Sequence, residues 1–271
     1  MSRYQVLFDS LKQKKQGAFV PFVMLGDPDL ESSFEIICTM ISSGADALEL
    51  GFPFSDPIAD GPTIQKAAIR ALSSNVTPAR CFELIRRIRE RYVDTPIGLL
   101  LYCNLVLRPG VAHFYRAAAE AGVDSVLLAD VPLRESEPFR RQAELNGIDH
   151  ILIAPPNASD ETLITIARQS RGYVYLLGRA GVTGSNVKAD SPLGHTLAIL
   201  RAHQAAPAIV GFGISHPHQV REYVAAGAAG AIAGSSIVGI VEQNLDDPHK
   251  LHTELAAYCG KMKEGTRLSR S

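Results

Sequence analysis

Short, unbroken apolar runs recur along this chain, each preceded by a glycine and a small or acidic residue. They read SGADALELG around Gly44, AGVDSVLLAD around Gly122, NGIDHILIAP around Gly147 and AGAAGAIAG around Gly227. The runs are too short for helices and are continuously apolar rather than alternating. They therefore predict strands covered on both faces, as in a parallel sheet. Glycine at each junction suits a left-handed cap at the end of the preceding helix. Filling the intervals predicts strands at 19–25, 47–51, 97–102, 125–129, 150–153, 173–177, 208–211 and 231–233. Amphipathic helices lie between them, among them 30–43, 111–121 and 138–146. Eight strands alternating with helices is the count of a closed (β/α)8 barrel, the TIM barrel. An open doubly wound sheet has the same alternation. Its dinucleotide-binding form is disfavoured, because no Gly-x-Gly-x-x-Gly follows the first strand.

The opening segment, MSRYQVLFDSLKQKKQG, places Tyr4, Leu7, Phe8 and Leu11 on one face and predicts an extra N-terminal helix. It lacks the apolar stretch of a signal peptide or membrane span, so a cytoplasmic location is expected. The 271 residues suit one barrel, which needs about 250. No Pro/Gly/Ser-rich linker divides them, and residues 1–271 are expected to form a single domain. The net charge of -1 leaves no footprint for nucleic acid or an anionic membrane. Arg86, Arg87, Arg89 and Arg91 alternate with Glu83 and Glu90 as on a solvated helix face. The four cysteines are far apart, and Cys38 and Cys103 sit in apolar segments as buried, reduced thiols.

In such barrels chemistry gathers at the C-terminal ends of the strands. Glu49 stands inside the predicted strand ALELG. A buried carboxylate is costly unless it is paired or its raised pKa is used in proton transfer, and no predicted strand carries an Arg or Lys to pair it. Asp60 ends the loop GFPFSDPIADGPT, where Asp56 and Asp60 also suit turn or capping chemistry. Two carboxylates reaching one cavity would serve paired acid–base work. Three Gly-rich segments follow the last three strands: GRAGVTGS, GFGIS and AGSS. Glycine admits an anion close to the backbone, and loops after strands seven and eight are where barrels hold phosphate.

The eight lysines all fall in predicted helices, loops or tails, so Schiff-base chemistry has no strand lysine. His216 and His218 open a Pro-containing helix and read as a capping or surface feature. No metal-binding set and no flavin or nicotinamide motif is visible. Tyr102, Tyr173 and Tyr175 read equally as core filler or pocket wall.

ALELGFPFSDPIADGPTIQ over 47–65, YLLGRAGVTG over 175–184, GFGIS and AGAAGAIAGSSIV closely resemble the tryptophan synthase alpha subunit family. The similarity runs end to end through PFVMLGDPD, LLLYCNLV, DSVLLADVP and APPNASDETL. The resemblance implies a lyase of tryptophan biosynthesis that cleaves indole-3-glycerol phosphate to indole and glyceraldehyde 3-phosphate by a retro-aldol reaction. It implies that Glu49 is the general acid–base, that Asp60 stabilises positive charge on the indole ring, and that Tyr175 is an active-site tyrosine. Gly184, Gly213, Gly234 and Ser235 match phosphate-binding positions. Phe22, Leu100, Leu127, Ala129, Ile153, Thr183, Phe212 and Ile232 match the pocket lining.

The family needs no cofactor in this chain. It implies a partner beta subunit that carries pyridoxal phosphate and takes up the indole in an alpha2-beta2 heterotetramer. Phe52, Phe54 and Ile58 are then expected to be exposed for docking, and 179–193 to form a lid, with Thr183 reaching toward Asp60. The chain departs from the family pattern at Gly178 and Ala233, where Ser is usual, and at Cys103, where a small residue such as Ala is frequent. Two other readings stand beside this one. One is another phosphate-binding barrel enzyme, of which indole-glycerol-phosphate synthase would call for strand lysines. The other is a catalytically silent barrel kept as an allosteric partner, against which Glu49 and Asp60 both argue.

Overall fold

The computed structural model describes residues 1–178 and 191–268. The chain opens with α1 (Arg3–Gln13), β1 (Ala18–Met24), α2 (Leu30–Ser42) and β2 (Leu48–Gly51). Two helices then follow in succession, α3 (Pro62–Ser73) and α4 (Pro78–Arg91), before β3 (Ile97–Leu101). The middle comprises α5 (Cys103–Leu107), α6 (Val111–Glu120), β4 (Ser125–Leu128), α7 (Glu137–Leu145), β5 (Asp149–Ala154) and α8 (Asp160–Gln169). The last third comprises β6 (Val174–Leu177), α9 (Pro192–Ala202), β7 (Ala208–Gly211), α10 (Pro217–Ala225), β8 (Gly230–Ala233), α11 (Ser235–Gln243) and α12 (Pro248–Gly265). Every strand pairs in parallel with the next and β8 returns to β1, so the sheet is the closed (β/α)8 barrel. Among the described residues no helix is long and apolar enough to cross a membrane.

The recurring glycines behave as the pattern predicts. Gly44, Gly122, Gly147 and Gly227 all have positive φ, from 67° to 116°, and turn the chain from a helix into the next strand. Two of the acidic residues that stand two places on have a separate task. Asp46 accepts the backbone N–H of Phe19 at 2.7 Å, and Asp124 accepts that of Ile97 at 2.8 Å. Each thereby ties the foot of its own strand to the foot of the preceding one. Asp46 is also paired with Lys263 of α12 at 2.7 Å, and Asp124 with Arg89 at 2.6 Å and Arg3 at 2.8 Å.

Arg89 therefore does not belong to a solvated face, although Arg86, Arg87 and Arg91 do. Its side chain is 12% exposed. The guanidinium donates to the carbonyls of Tyr92, Val93, Thr95 and Gly122 as well as to Asp124. Charge pattern alone cannot separate an arginine that faces water from one that gathers orphan carbonyls at the barrel's foot.

The extra helix α1 closes the N-terminal end of the barrel, burying Tyr4, Phe8 and Leu11. Tyr4 reaches furthest, its hydroxyl 2.9 Å from Ser125 Oγ of β4. A glycine on β3 makes this possible: a Cβ at Gly98 would lie 2.9 Å from the Tyr4 hydroxyl and 2.7 Å from Ser125 Oγ. Two more expectations are corrected. Cys103, the first residue of α5, is only partly buried, because it lies just past the strand and not within it. Phe52 is 2% exposed, packed edge-on to Phe82 at 5.2 Å, so it belongs to the core.

Asp124→Ala is expected to cost roughly 3–5 kcal/mol, since it strands the half-buried Arg89 charge and the Ile97 N–H together. A fall in the urea midpoint at unchanged denaturant slope is the measurement; a change of less than about 1 kcal/mol would remove the foot staple from the account.

Candidate active site

Glu49 occupies the interior of the barrel. Along β2 the strand alternates, with Leu48 and Leu50 facing the helices, and the register Phe22↔Glu49↔Gly98↔Ser125 places the carboxylate level with the tip of Tyr4. It is 2% exposed and has no cationic partner among the described residues. Its hydrogen bond comes from the Tyr173 hydroxyl, which donates to Oε1 at 3.2 Å. Burial lifts the Glu49 pKa to about 8, only partly opposed by that bond.

Tyr175 shares the lumen with it. Tyr173 and Tyr175 are two residues apart and so point the same way. The Tyr175 phenol lies on the backbone of β7: a Cβ at Gly211 would come 2.1 Å from its hydroxyl oxygen, so only glycine leaves room. Burial and the neighbouring Glu49 both favour the neutral phenol there.

Asp60 is positioned from the mouth. Tight turns fold the loop back on itself, Ile58 N–H onto Asp56 O at 3.0 Å and Asp60 N–H onto Pro57 O at 3.1 Å. Gln65 of α3 holds the Asp60 carbonyl at 2.7 Å. Tyr102, just past β3, accepts the Ala59 N–H at 3.0 Å, and its hydroxyl also lies beside the Asp60 carboxylate. Phe54 stacks on the Tyr102 ring, with centroids 5.4 Å apart. Burial raises the Asp60 pKa and the Tyr102 hydroxyl restrains the rise. Neither carboxylate is shifted by the other's charge.

Apolar residues share the register of Glu49 and Tyr175 on the neighbouring strands: Phe22 pairs with Glu49, Leu100 with Leu127, and Ile153 with Tyr175. Phe22, Leu127 and Ile232 are buried, while Leu100, Ala129 and Ile153 are partly buried against the core. Phe212 is 59% exposed on the turn after β7, at the rim. It and Gly213 both have positive φ, 73° and 74°, a strained arrangement for phenylalanine of the sort that collects at functional turns. Gly234 caps α11 and Ser235 is its first residue, so the first N–H groups of that helix lie beside the turn after β7. Thr183, Gly184 and residues 179–190 of the segment expected to form a lid lie outside the described residues, while its last three, Ser191 to Leu193, cap and open α9. At Gly178 a Cβ would meet the Phe212 carbonyl at 2.8 Å, so a serine there would need the two turns to separate.

His216 is the N-cap of α10, with Gln219 folded back onto its N–H at 3.0 Å, as the capping reading expects. Among the described residues no group of three or more His, Cys, Asp and Glu is placed to hold a metal. Sequence reasoning missed the roles of two residues, Tyr173 as the partner of Glu49 and Tyr102 as the partner of Asp60. The i, i+2 spacing of Tyr173 and Tyr175 was the available signal for the first. Nothing local to Tyr102 signals the second.

Relatives carry the same frame. The tryptophan synthase alpha chain of Photobacterium profundum is 57% identical over 269 residues, covering 99% of this chain and all of that one. That of Aliivibrio fischeri is 58% identical over 267 residues, 98% of this chain and all of its own. Among solved structures, the alpha subunit from Legionella pneumophila superposes with a TM-score of 0.85 at 29% identity, over 98% of both chains. A chain of the Mycobacterium tuberculosis tryptophan synthase does so with 0.85 at 27%, over 98% of this chain and 99% of that one. The family profile described as tryptophan synthase alpha chain matches residues 8–267, and with relatives more than half identical along their whole length, the chain belongs to the tryptophan synthase alpha chain family.

Proposed function

We propose that this barrel, acting as one domain, is the lyase that cleaves indole-3-glycerol phosphate to indole and glyceraldehyde 3-phosphate in tryptophan biosynthesis, with Glu49 as its general acid–base. The observation that carries the reading is the state of Glu49: sealed in the lumen, without a cation among the described residues, and with its pKa near 8. A carboxyl that is neutral at pH 7 can give a proton, and once ionised it can take one back.

The reaction asks for both. Protonation of the ring carbon that bears the glycerol chain leaves positive charge on the indole nitrogen. The ionised Glu49 then accepts the proton of the side-chain hydroxyl on the carbon bonded to the ring. The carbon–carbon bond breaks, its electron pair returns to the ring, and the hydroxyl carbon becomes the aldehyde. One proton leaves Glu49 and one returns, so no cofactor is needed in this chain. Asp60, held by Tyr102, supports the charged ring through its carboxylate. Phe22, Leu100, Leu127, Ala129, Ile153, Phe212, Ile232 and Tyr175 suit a flat apolar substrate, with Thr183 joining them from outside the described residues. The turns at Gly213 and Gly234–Ser235, with Gly184, suit its phosphate. A catalytically silent barrel would gain nothing from an uncompensated buried carboxyl.

The partner in this reading is a beta subunit that carries pyridoxal phosphate and receives the indole, in a cytoplasmic alpha2-beta2 assembly. The support is Ile58, which is 84% exposed on the loop that presents Asp60, so contact there reaches the site directly.

Glu49→Gln is expected to fold and to lose about a hundred- to ten-thousand-fold in indole release. The same variant tests protonation. The folded Glu49 pKa lies above the unfolded value of 4.5, so the unfolded chain loses the proton first as pH rises. Wild-type stability therefore erodes between about pH 4.5 and 8, and the stability advantage of Glu49→Gln should grow across that interval. Near-wild-type turnover, or a urea-midpoint difference that is flat with pH, counts against the assignment. Ile58→Asp is expected to weaken association with the beta subunit by at least about tenfold while the isolated chain keeps its own cleavage rate. Titration of beta-subunit-stimulated cleavage reads this, and an unchanged midpoint would move the interface elsewhere.

A further inference from the structure

Behind the turns after β7 and β8 stands a side chain that none of the chemistry above uses. Tyr258 lies half-buried on α12, a helix packed against both α10 and α11. Its hydroxyl donates to the Ser215 carbonyl, in the turn after β7, at 3.2 Å. The side chain of Ser236, the second residue of α11, lies beside the same phenol. A single phenol thus joins Ser215, two residues beyond Gly213, to Ser236, adjacent to Ser235.

The turn it holds is strained. Phe212 and Gly213 are consecutive left-handed residues, and a phenylalanine in that region is unfavourable and persists only where surrounding contacts enforce it. Gln219 enforces it from one side, its Oε1 accepting the N–H groups of Ser215 at 2.8 Å and His216 at 3.0 Å. Its Nε2 donates to the Gly213 carbonyl at 3.3 Å. Those bonds all lie within one β/α unit, whereas Tyr258 links this turn to the start of α11. A phosphate shared between two turns is bound well only when their donors stand at a set separation, since an oxyanion site depends on preorganised N–H groups.

We propose that Tyr258 is a positioning residue that sets the spacing between the turn at Gly213 and the helix start at Gly234–Ser235, and so determines affinity for the phosphate of the substrate. The inference rests on the phosphate placement proposed above. Ser236 acts through Tyr258, by holding the phenol against Ser215, and touches no ligand itself. Loss of the phenol oxygen leaves the lumen, Glu49 and the apolar pocket untouched, so binding and turnover should separate.

The test is steady-state cleavage by the full chain, with inorganic phosphate and indole as separate competitive inhibitors. For Tyr258→Phe, the KM for indole-3-glycerol phosphate and the inhibition constant of phosphate should both rise about 3- to 10-fold, the worth of one hydrogen bond. kcat should stay within about twofold, and the inhibition constant of indole should not move. Ser236→Ala should shift the same two constants, and the double variant should be no worse than Tyr258→Phe alone. Should Tyr258→Phe fail to fold, Ser236→Ala carries the same readout. Gly234→Asp separates the two levels of the inference. If it abolishes phosphate inhibition while Tyr258→Phe and Ser236→Ala change nothing, the clamp is wrong and the phosphate placement stands. If phosphate inhibits Gly234→Asp as it does wild type, the placement falls and the clamp with it. An equal rise in the constants for phosphate and indole would mean general loosening and would also overturn the proposal.

Discussion

The pairing of β8 with β1 runs from Ala18↔Gly230 to Pro21↔Ala233, and it requires that nothing project from Gly230. A Cβ there would lie 2.4 Å from the Ala18 carbonyl oxygen. With that seam closed, the lumen is walled by strands on every side and stoppered at the foot by α1, whose Tyr4 is 1% exposed. Dryness follows from closure. A carboxylate on a strand of an open sheet could find water at an edge, whereas Glu49 finds a phenol and apolar walls. Its pKa near 8 is therefore a consequence of the barrel's topology before it is a property of any neighbouring residue.

The two ends of the barrel divide their work by chemistry. At the foot, acidic residues at the start of strands meet arginine and lysine in partly buried pairs, Asp124 with Arg89 and Asp46 with Lys263. These satisfy backbone groups and bind one β/α unit to the next. Within the lumen and at the mouth the carboxylates meet phenols instead, Glu49 with Tyr173 and Asp60 with Tyr102. A cation would hold a carboxylate ionised, and a phenol orients it while leaving its proton available. The same residue types thus give rigidity at one end and proton transfer at the other, according to the partner supplied.

Much of this was legible in the residues. The recurring glycine before apolar runs signalled both the alternation of helix and strand and the left-handed turns, because it marks where a helix must end and a strand begin. Glu49 stood out because an ionisable group inside an apolar run is costly to bury unless its proton is put to use. The exposed-aromatic expectation failed at Phe52, which packs on Phe82 of α4. Its position on a loop suggested exposure, and the helix it meets lies thirty residues on. Arg89 failed in the same way: its i, i+3 neighbours describe a charged face, and its actual partners come from the ends of other elements.

What the sequence by itself determined is whatever depends on local periodicity and conformational preference. That covers the eight apolar runs, the glycine turns, the amphipathic α1, and a carboxylate where hydrocarbon was expected. Its resemblance to one family supplied the roles. Tertiary structure alone decided which groups face one another across the barrel: Tyr173 on Glu49, Tyr102 on Asp60, and Tyr258 between the turns after β7 and β8. The physical reason is that these contacts join residues 22 to 124 positions apart. Distance along the chain carries no information about them until strand register and barrel closure bring the pieces to a few ångströms.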